Sequence, residues 1–107
     1  MMLEILEQAI RERRCVTGCY KDGERHFAPH AIGFKSDGTP AAFVVQYGGE
    51  TSSELPPRGQ WRCLDLRDLS DLHLNDHRWR TLPNYSLVRQ TCLDQIALAV
   101  QKRSTSS

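Results

Sequence analysis

The sequence predicts an α+β fold in which an N-terminal helix, about five antiparallel strands and a C-terminal helix form one small domain. Residues 2–14 place apolar side chains at helical spacing, and apolar residues recur every four positions near the C-terminus. Between them, two Asp-Gly pairs separate runs that are rich in β-branched and aromatic residues. Short turns favour antiparallel neighbours, so we expect a strongly bent sheet or partial barrel flanked by helices.

Length and composition are those of an ordinary globular domain. The chain has 107 residues, 39% hydrophobic and 25% charged, and its formal net charge of +1 gives no overall reason to expect a polyanionic partner. No apolar run approaches the ~18 to 20 residues of a membrane span. The acidic start also lacks the basic and apolar regions of a signal peptide. We therefore expect a cytoplasmic protein that does not contact a membrane.

The cysteines are expected to be reduced thiols, because no export signal places them in an oxidising compartment. They are Cys15, Cys19, Cys63 and Cys92. Cys15 and Cys19 fall in one predicted strand, where residues four apart are separated by ~13 Å, too far for a disulfide or a shared metal ion. We interpret both as small buried hydrophobic residues.

The N-terminal helix carries Leu3, Leu6 and Ile10 on one side, and charged residues fill the opposite arc. A hairpin follows, turning at Asp22-Gly23, with strands over residues 15–20 and 26–34. Because proline cannot donate to a sheet ladder, we expect this hairpin to be bent or exposed near Pro29.

A second Asp-Gly turn, at residues 37–38, leads into a strand over residues 39–47. Both faces of this strand are mostly apolar, which predicts a central strand covered on both sides. Residues 48–59 combine Gly, Ser and a Pro-Pro pair without periodicity, and loops of this length are often functional or mobile. Strand character resumes at residue 60 and continues to residue 74, with a kink near Asp68.

Arg62 shares a predicted strand face with Leu64 and Leu66, and two interpretations are open. The guanidinium either lies at the strand end and extends to water, or is held in a pocket by polar partners or an anionic ligand. The strand pattern alone favours the first interpretation.

The C-terminal helix is predicted from Ser86 onward, with Ser86 as its N-cap. Its apolar stripe consists of Val88, Cys92, Ile96 and Val100. Leu87 and Leu98 lie off the stripe, either as ordinary surface leucines or as contacts to a second subunit. Residues 103–107 are polar and are expected to form a disordered tail.

One series of residues stands at a distinctive spacing. It runs Leu6-x-x-Ala9-Ile10-x-x-x-Arg14-x-Val16-x-x-x-Tyr20-x-x-x-x-Arg25-x-x-x-Pro29-His30 and continues, after a Gly turn and an apolar strand, with Trp61-Arg62-Cys63-Leu64-Asp65-Leu66. In order and spacing, the series resembles the WYL domain of bacterial regulators over roughly residues 3–79. The chain departs from the family at its naming tripeptide, which is Ala42-Phe43-Val44 here, and at Arg67-Asp68-Leu69, where the family often has Asp-Arg-Ile.

The resemblance implies that residues 1–102 form a single WYL-like domain with a sheet of the Sm or SH3-like kind, serving as a ligand-sensing module. It also implies a groove for a nucleotide or single-stranded nucleic acid, lined here by Tyr20, Arg25 and Arg62, with His30 close to them. Guanidinium groups suit phosphate oxygens, and an aromatic ring offers a stacking face for a base.

Family members usually carry a DNA-binding helix-turn-helix, and this sequence does not contain one. We therefore expect a stand-alone module in transcription regulation, which acts alone or through a DNA-binding partner protein. Sheet edges and apolar residues on two sides of the last helix favour a homodimer.

Two other classes of function are open. A metal-dependent enzyme would have to assemble a site from the four histidines, Cys15, Cys19 and Asp76. The sequence contains no His-Glu-x-x-His, no Cys-x-x-Cys and no glycine-rich phosphate loop, so we expect neither catalysis nor a cofactor or metal. The other alternative is a structural or interaction protein that forms a dimer or partner complex without a ligand.

Overall fold

The computed structural model describes residues 2–21, 23–49, 58–83, 85–87 and 89–100. These residues form one N-terminal helix and a six-stranded antiparallel sheet, which confirms the predicted α+β class. A search of the described residues for a helix that could span a membrane finds none. The turn residue Asp22, most of the loop expected over 48–59 and the tail at 103–107 lie outside the described residues.

The helix, α1, spans Met2–Glu12 and buries Leu6, Ala9 and Ile10. It ends before Arg14 because Arg13 adopts a left-handed φ of 52°, and the Arg14 N–H then donates back to the Ala9 carbonyl over 2.9 Å. Such a left-handed residue is a common way of ending a helix.

Six strands follow the helix. They are β1 (Val16–Tyr20), β2 (Gly23–Phe34), β3 (Pro40–Gly49), β4 (Gln60–Asp65), β5 (Leu69–Leu74) and β6 (Gln95–Ala99). The sheet order is β4-β3-β2-β1-β5, and β6 pairs with β2; a short 3-10 turn at Leu66–Asp68 joins β4 to β5. The first five strands confirm the sequence prediction.

The predicted irregularity at Pro29 is present in β2. The pairing register between β2 and β3 shifts once between His26 and Phe27 and again between Pro29 and Ala31. Such bulges bend a strand and increase its twist. The half of β2 before Pro29 pairs with β1, whereas the half after it pairs with β6.

Strand β3 lies inside the sheet, between β4 and β2, and is covered on both sides, as its sequence predicts. Ala42 and Val44 belong to a core on the side of α1, which we call the helix-side core. Phe43 and Val45 point to the other side, into two clusters that both contact Trp61 and that we call the far-side core. Residues that follow β5 cover the far-side core, and they include Trp79, Leu82, Tyr85, Leu87 and Leu93.

The predicted C-terminal helix is wrong. Ser86 does accept a hydrogen bond from the Arg89 N–H, at 3.2 Å, but only a local turn forms there, and residues 95–99 form strand β6. The half of β2 beyond Pro29 extends past β1, and β6 supplies partners for its backbone groups there: Val100 N–H donates to His30 O and Asp94 N–H to Phe34 O. Of the predicted apolar stripe, Val88 lies outside the described residues.

The absence of this helix also changes the interpretation of Leu87 and Leu98, which were placed off its apolar stripe. Leu98 packs against the helix-side core, and Leu87 packs against the far-side core. Neither is a fully exposed surface leucine.

The expectation that all four cysteines are reduced is also wrong, since Cys63 and Cys92 form a disulfide with their Cα atoms 5.5 Å apart. The bond ties the edge strand β4 to the segment that precedes β6. Cys15 is fully buried, as expected, whereas Cys19 is half-buried, and both are free thiols.

Candidate functional site

A cleft beside strands β1, β2, β3 and β4 brings together three of the four predicted site residues. Its walls contain Tyr20 from β1, Arg25 from β2 and Arg62 from β4, and its volume is about 270 Å³. Lys21, Gln46, Cys63 and Leu64 complete the lining. We call this the cationic cleft.

Strand geometry explains why these side chains meet. Side chains alternate between the two faces of a strand, so a residue at an even spacing from a core residue shares its face. Arg62 stands two positions before Leu64, and Gln46 two positions after Val44, both members of the helix-side core. Tyr20 packs its ring against the same core.

Gly49 allows β3 to pass close to Arg25. Its φ is 99°, in the left-handed region, and a Cβ placed there would lie 2.6 Å from the Arg25 Cα. A side chain at this position would force the strands apart, so glycine is required for the wall of the cleft.

Tyr20 links β1 to the end of β4 through its hydroxyl, which accepts a hydrogen bond from the Asp65 N–H at 3.2 Å. The Asp65 carboxylate accepts from the Arg67 backbone N–H at 2.9 Å and forms a 2.8 Å ion pair with the Arg67 guanidinium. These hydrogen bonds lower the pKa of Asp65 to about 2. The negative charge of Asp65 is therefore matched by Arg67 rather than by the cations of the cleft.

Arg62 is half-buried and is held by a neighbour on its own strand. With the Gln60 amide oriented so that its oxygen faces the guanidinium, Arg62 donates to that oxygen from Nε over 2.8 Å. Hydrogen bonds to one side of the guanidinium orient it and leave its other donors for a ligand.

The charge of the cleft is positive. Lys21, Arg25 and Arg62 contribute three cations, and none of the described residues that line the cleft is Asp or Glu. Within the described part of the chain, none of these cations forms an ion pair. Lys21 lies 5.6 Å from the centre of the Tyr20 ring, a cation–π distance. An anion that also offers a flat ring would match this arrangement.

His30, the fourth predicted site residue, does not line the cleft. Its side chain is 1% exposed and lies among the rings of Trp61, Trp79 and Tyr85, with centroids 4.8 to 5.1 Å away. Nδ1 donates to the Ala28 carbonyl over 2.8 Å, and Nε2 has no partner among the described residues. Burial lowers the pKa of His30 to about 4, so the ring is neutral near pH 7.

A second, larger cavity of about 610 Å³ lies beside β4, and we call it the β4 cavity. Phe43, Trp61, Arg62 and the disulfide cysteines form part of its wall. Residues 90–94 form another part. Sequence reasoning missed this cavity because it placed residues 90–94 in a helix. The sequence feature that could have indicated the cavity is Trp61-Arg62-Cys63, an arginine between an aromatic residue and a cysteine on an edge strand.

A polar network on the far side was also missed. The Thr17 hydroxyl lies 2.9 Å from His26 Nδ1 and accepts a hydrogen bond from the Asn75 amide at 2.9 Å, while the Tyr47 hydroxyl lies 2.8 Å from His77 Nδ1. Thr17 is buried, and burial raises the pKa of Tyr47. The network joins β1, β2 and β3 to the segment after β5. The described residues contain no group of three or more potential metal ligands.

Comparison with protein-family models, with curated proteins and with solved structures finds no match to this chain.

Proposed function

We propose that this protein is a ligand-sensing module that binds a nucleotide or single-stranded nucleic acid in the cationic cleft. The observation that carries this proposal is the convergence of Tyr20, Arg25 and Arg62, with Lys21, on one cleft whose described lining residues include no acidic side chain. Forked guanidinium donors suit phosphate oxygens, and an aromatic edge beside them suits a base or sugar. We assign the cleft no catalytic step.

The order of the elements supports the proposal of an Sm or SH3-like sheet, and the WYL-like domain is proposed on the sequence resemblance alone. An N-terminal helix precedes five strands in the order β4-β3-β2-β1-β5, and a 3-10 turn separates β4 from β5. We propose that a module of this kind takes part in transcription regulation through a DNA-binding partner protein.

Binding of a fluorescently labelled thymidine oligonucleotide, followed by anisotropy, tests this function. Arg25→Ala and Arg62→Ala should each weaken binding by ~1 to 3 kcal/mol, the range for a lost charge-assisted hydrogen bond. Arg11→Ala is the matched control, because it removes one cation from an exposed helical position that lines neither cavity. Affinity should also fall as salt rises, because bound phosphates release counterions.

Affinity that is unchanged in both cleft variants, or that falls equally in Arg11→Ala, would exclude specific binding at the cleft. Circular dichroism of each variant would separate a binding loss from unfolding.

An interaction protein that forms a homodimer is the second candidate, and one observation favours it. Phe34 is 43% exposed and Ile96 is 42% exposed, and both lie on the paired strands β2 and β6, where Phe34 is opposite Gln95 and Ile96 is opposite Gly33. An exposed apolar patch such as the one around Ile96 can be covered by a symmetry mate. If this patch is the interface, Ile96→Glu should convert a dimer into a monomer in sedimentation equilibrium. A dimer mass that Ile96→Glu leaves unchanged would exclude the patch.

We also propose a cytoplasmic location, and this proposal makes a prediction about the redox state of Cys63 and Cys92. Cytoplasmic thiols are kept reduced, so a protein there would hold Cys63 and Cys92 as thiols unless the bond forms transiently. Alkylation of the protein in intact cells, followed by mass spectrometry, measures the state of both cysteines.

A further inference from the structure

The cationic cleft and the β4 cavity share two wall residues, Arg62 and Cys63. Strand β4 lies at the edge of the sheet, and its side chains alternate between the two faces. Trp61 and Cys63 therefore point toward the far-side core, and Arg62 and Leu64 toward the helix-side core. A long side chain on an edge strand can border both faces, and Arg62 does so.

The two cavities differ in chemistry. The cleft is lined by three cations, whereas the β4 cavity carries the stacked rings of Phe43 and Trp61, whose centroids lie 4.6 Å apart at an interplanar angle of 9°. Among the described residues that line it, the charged ones are Lys35, Arg62 and Asp94, so two cations face one carboxylate. The net charge of +1 is smaller than the +3 of the described cleft lining, and phosphate therefore prefers the cleft.

The rim of the β4 cavity offers hydrogen-bonding groups on exposed side chains. Ser36 and Thr91 contribute hydroxyls, and Asp94 contributes a carboxylate. A volume of about 610 Å³ is within the range of small-molecule sites. Aromatic walls with a polar rim match a flat ring that carries hydrogen-bonding edges, which is the chemistry of a nucleobase.

We propose that the β4 cavity is the base-binding part of the ligand site, so that a nucleotide places its phosphate in the cationic cleft and its base in the β4 cavity, across Arg62. This inference rests on the proposed function and narrows its ligand class. The site requires an unpaired base, because a base inside a duplex is stacked and paired and cannot enter a side cavity. Single strands and free nucleotides can occupy both parts of the site, whereas polyphosphate and duplexes cannot place a base in the β4 cavity.

The wall formed by residues 90–94 is held in place before a ligand arrives. Cys92 is bonded to Cys63, and the Gln90 side chain donates to the Leu93 carbonyl and accepts from the Leu93 N–H, both at 2.7 Å. Because residues 90–94 are already held in place, ligand binding costs less conformational entropy than it would with a mobile wall.

Calorimetric titration with two probes tests the base subsite. Thymidine 5′-monophosphate carries a base, and ribose 5-phosphate does not. The account predicts that thymidine monophosphate binds at least about tenfold tighter, in line with the contribution of base stacking. Thr91→Phe, which fills the cavity from its rim, should reduce this advantage to about twofold or less.

Thr81→Phe is the matched control, because Thr81 is also exposed and lines neither cavity. A second readout does not depend on Thr91→Phe folding correctly. In Trp79→Phe, Trp61 is the remaining tryptophan, and its fluorescence should respond to thymidine monophosphate and not to ribose 5-phosphate.

The possible results separate the two proposals. Equal affinity for the two probes, or a silent Trp61, would overturn the base subsite and leave phosphate binding by the cleft intact. If neither probe binds, the proposed function fails, and the base subsite fails with it. A base-dependent affinity that Thr91→Phe removes and Thr81→Phe retains supports both.

Discussion

Removal of the Cys63–Cys92 disulfide should lower the free energy of unfolding by about 3.5 kcal/mol. The bond closes a loop with a sequence separation of 29 residues, and a crosslink of that span removes about this much conformational freedom from the unfolded chain. The loop contains all of β5 and the segment that covers the far-side core. Loss of the bond should therefore affect the global unfolding transition.

Urea denaturation of the wild type with and without a dithiol reductant measures this difference, and Cys63→Ser/Cys92→Ser should match the reduced wild type. Cys19→Ser is the control, because Cys19 is a free, half-buried thiol. Thiol titration in denaturant gives the bond count directly: two of the four cysteines should react before reduction and all four after it. Four reactive thiols before reduction, or identical denaturation curves with and without reductant, would refute the reasoning.

Two further predictions concern His30 and Tyr20. Burial lowers the pKa of His30 from its ordinary value of 6.5 to about 4, so the unfolded state binds a proton more readily than the folded state. The free energy of unfolding should therefore fall by about 3 kcal/mol as pH drops from 6.5 to 4. His30→Phe should remove that part of the pH dependence, measured as the urea midpoint at each pH. A fall of equal size in His30→Phe would assign it to other groups. Tyr20→Phe should lower the free energy of unfolding by ~0.5 to 1.5 kcal/mol, because the hydrogen bond from the Asp65 N–H is lost. Tyr20→Ala should lower it further and should also weaken oligonucleotide binding. Equal stability of the wild type and both variants would show that the hydroxyl and the ring contribute nothing.

The sheet could be predicted because its signals are local. The second Asp-Gly turn is closed by hydrogen bonds between Lys35 and Thr39 and between Gly38 and Lys35, and Gly38 has the left-handed φ that such a turn needs. The sequence of β3 likewise predicts burial on both sides, because successive side chains of a strand point to opposite faces and both faces of β3 are apolar.

The C-terminal strand could not be predicted because its signal is ambiguous. A repeat of four residues fits a helix, but it is also twice the period of a strand, so Ile96 and Val100 satisfy both patterns, whereas Leu98 fits only the strand. The deciding factor is the free edge of β2 beyond Pro29, which only the folded sheet creates. The disulfide depends on the same long-range arrangement.

The candidate site was predicted in part. Tyr20, Arg25 and Arg62 meet in one cleft, whereas His30 lies in the far-side core. Lys21 was overlooked because its position beside Asp22-Gly23 suggested only a turn. Spacing along a strand gives the face of a side chain, but it does not show which core covers that face.

The most direct test of the central claim is an NMR titration that follows the arginine Nε–Hε resonances as thymidine 5′-monophosphate is added. If the cationic cleft holds the phosphate, the signals of Arg25 and Arg62 will shift and saturate together, because both guanidinium groups line the cleft. The signals of Arg11, on the helix, and Arg67, paired with Asp65, will stay in place. Shifts at Arg11 or Arg67 of the same size, or no shift at Arg25 and Arg62, would contradict the account.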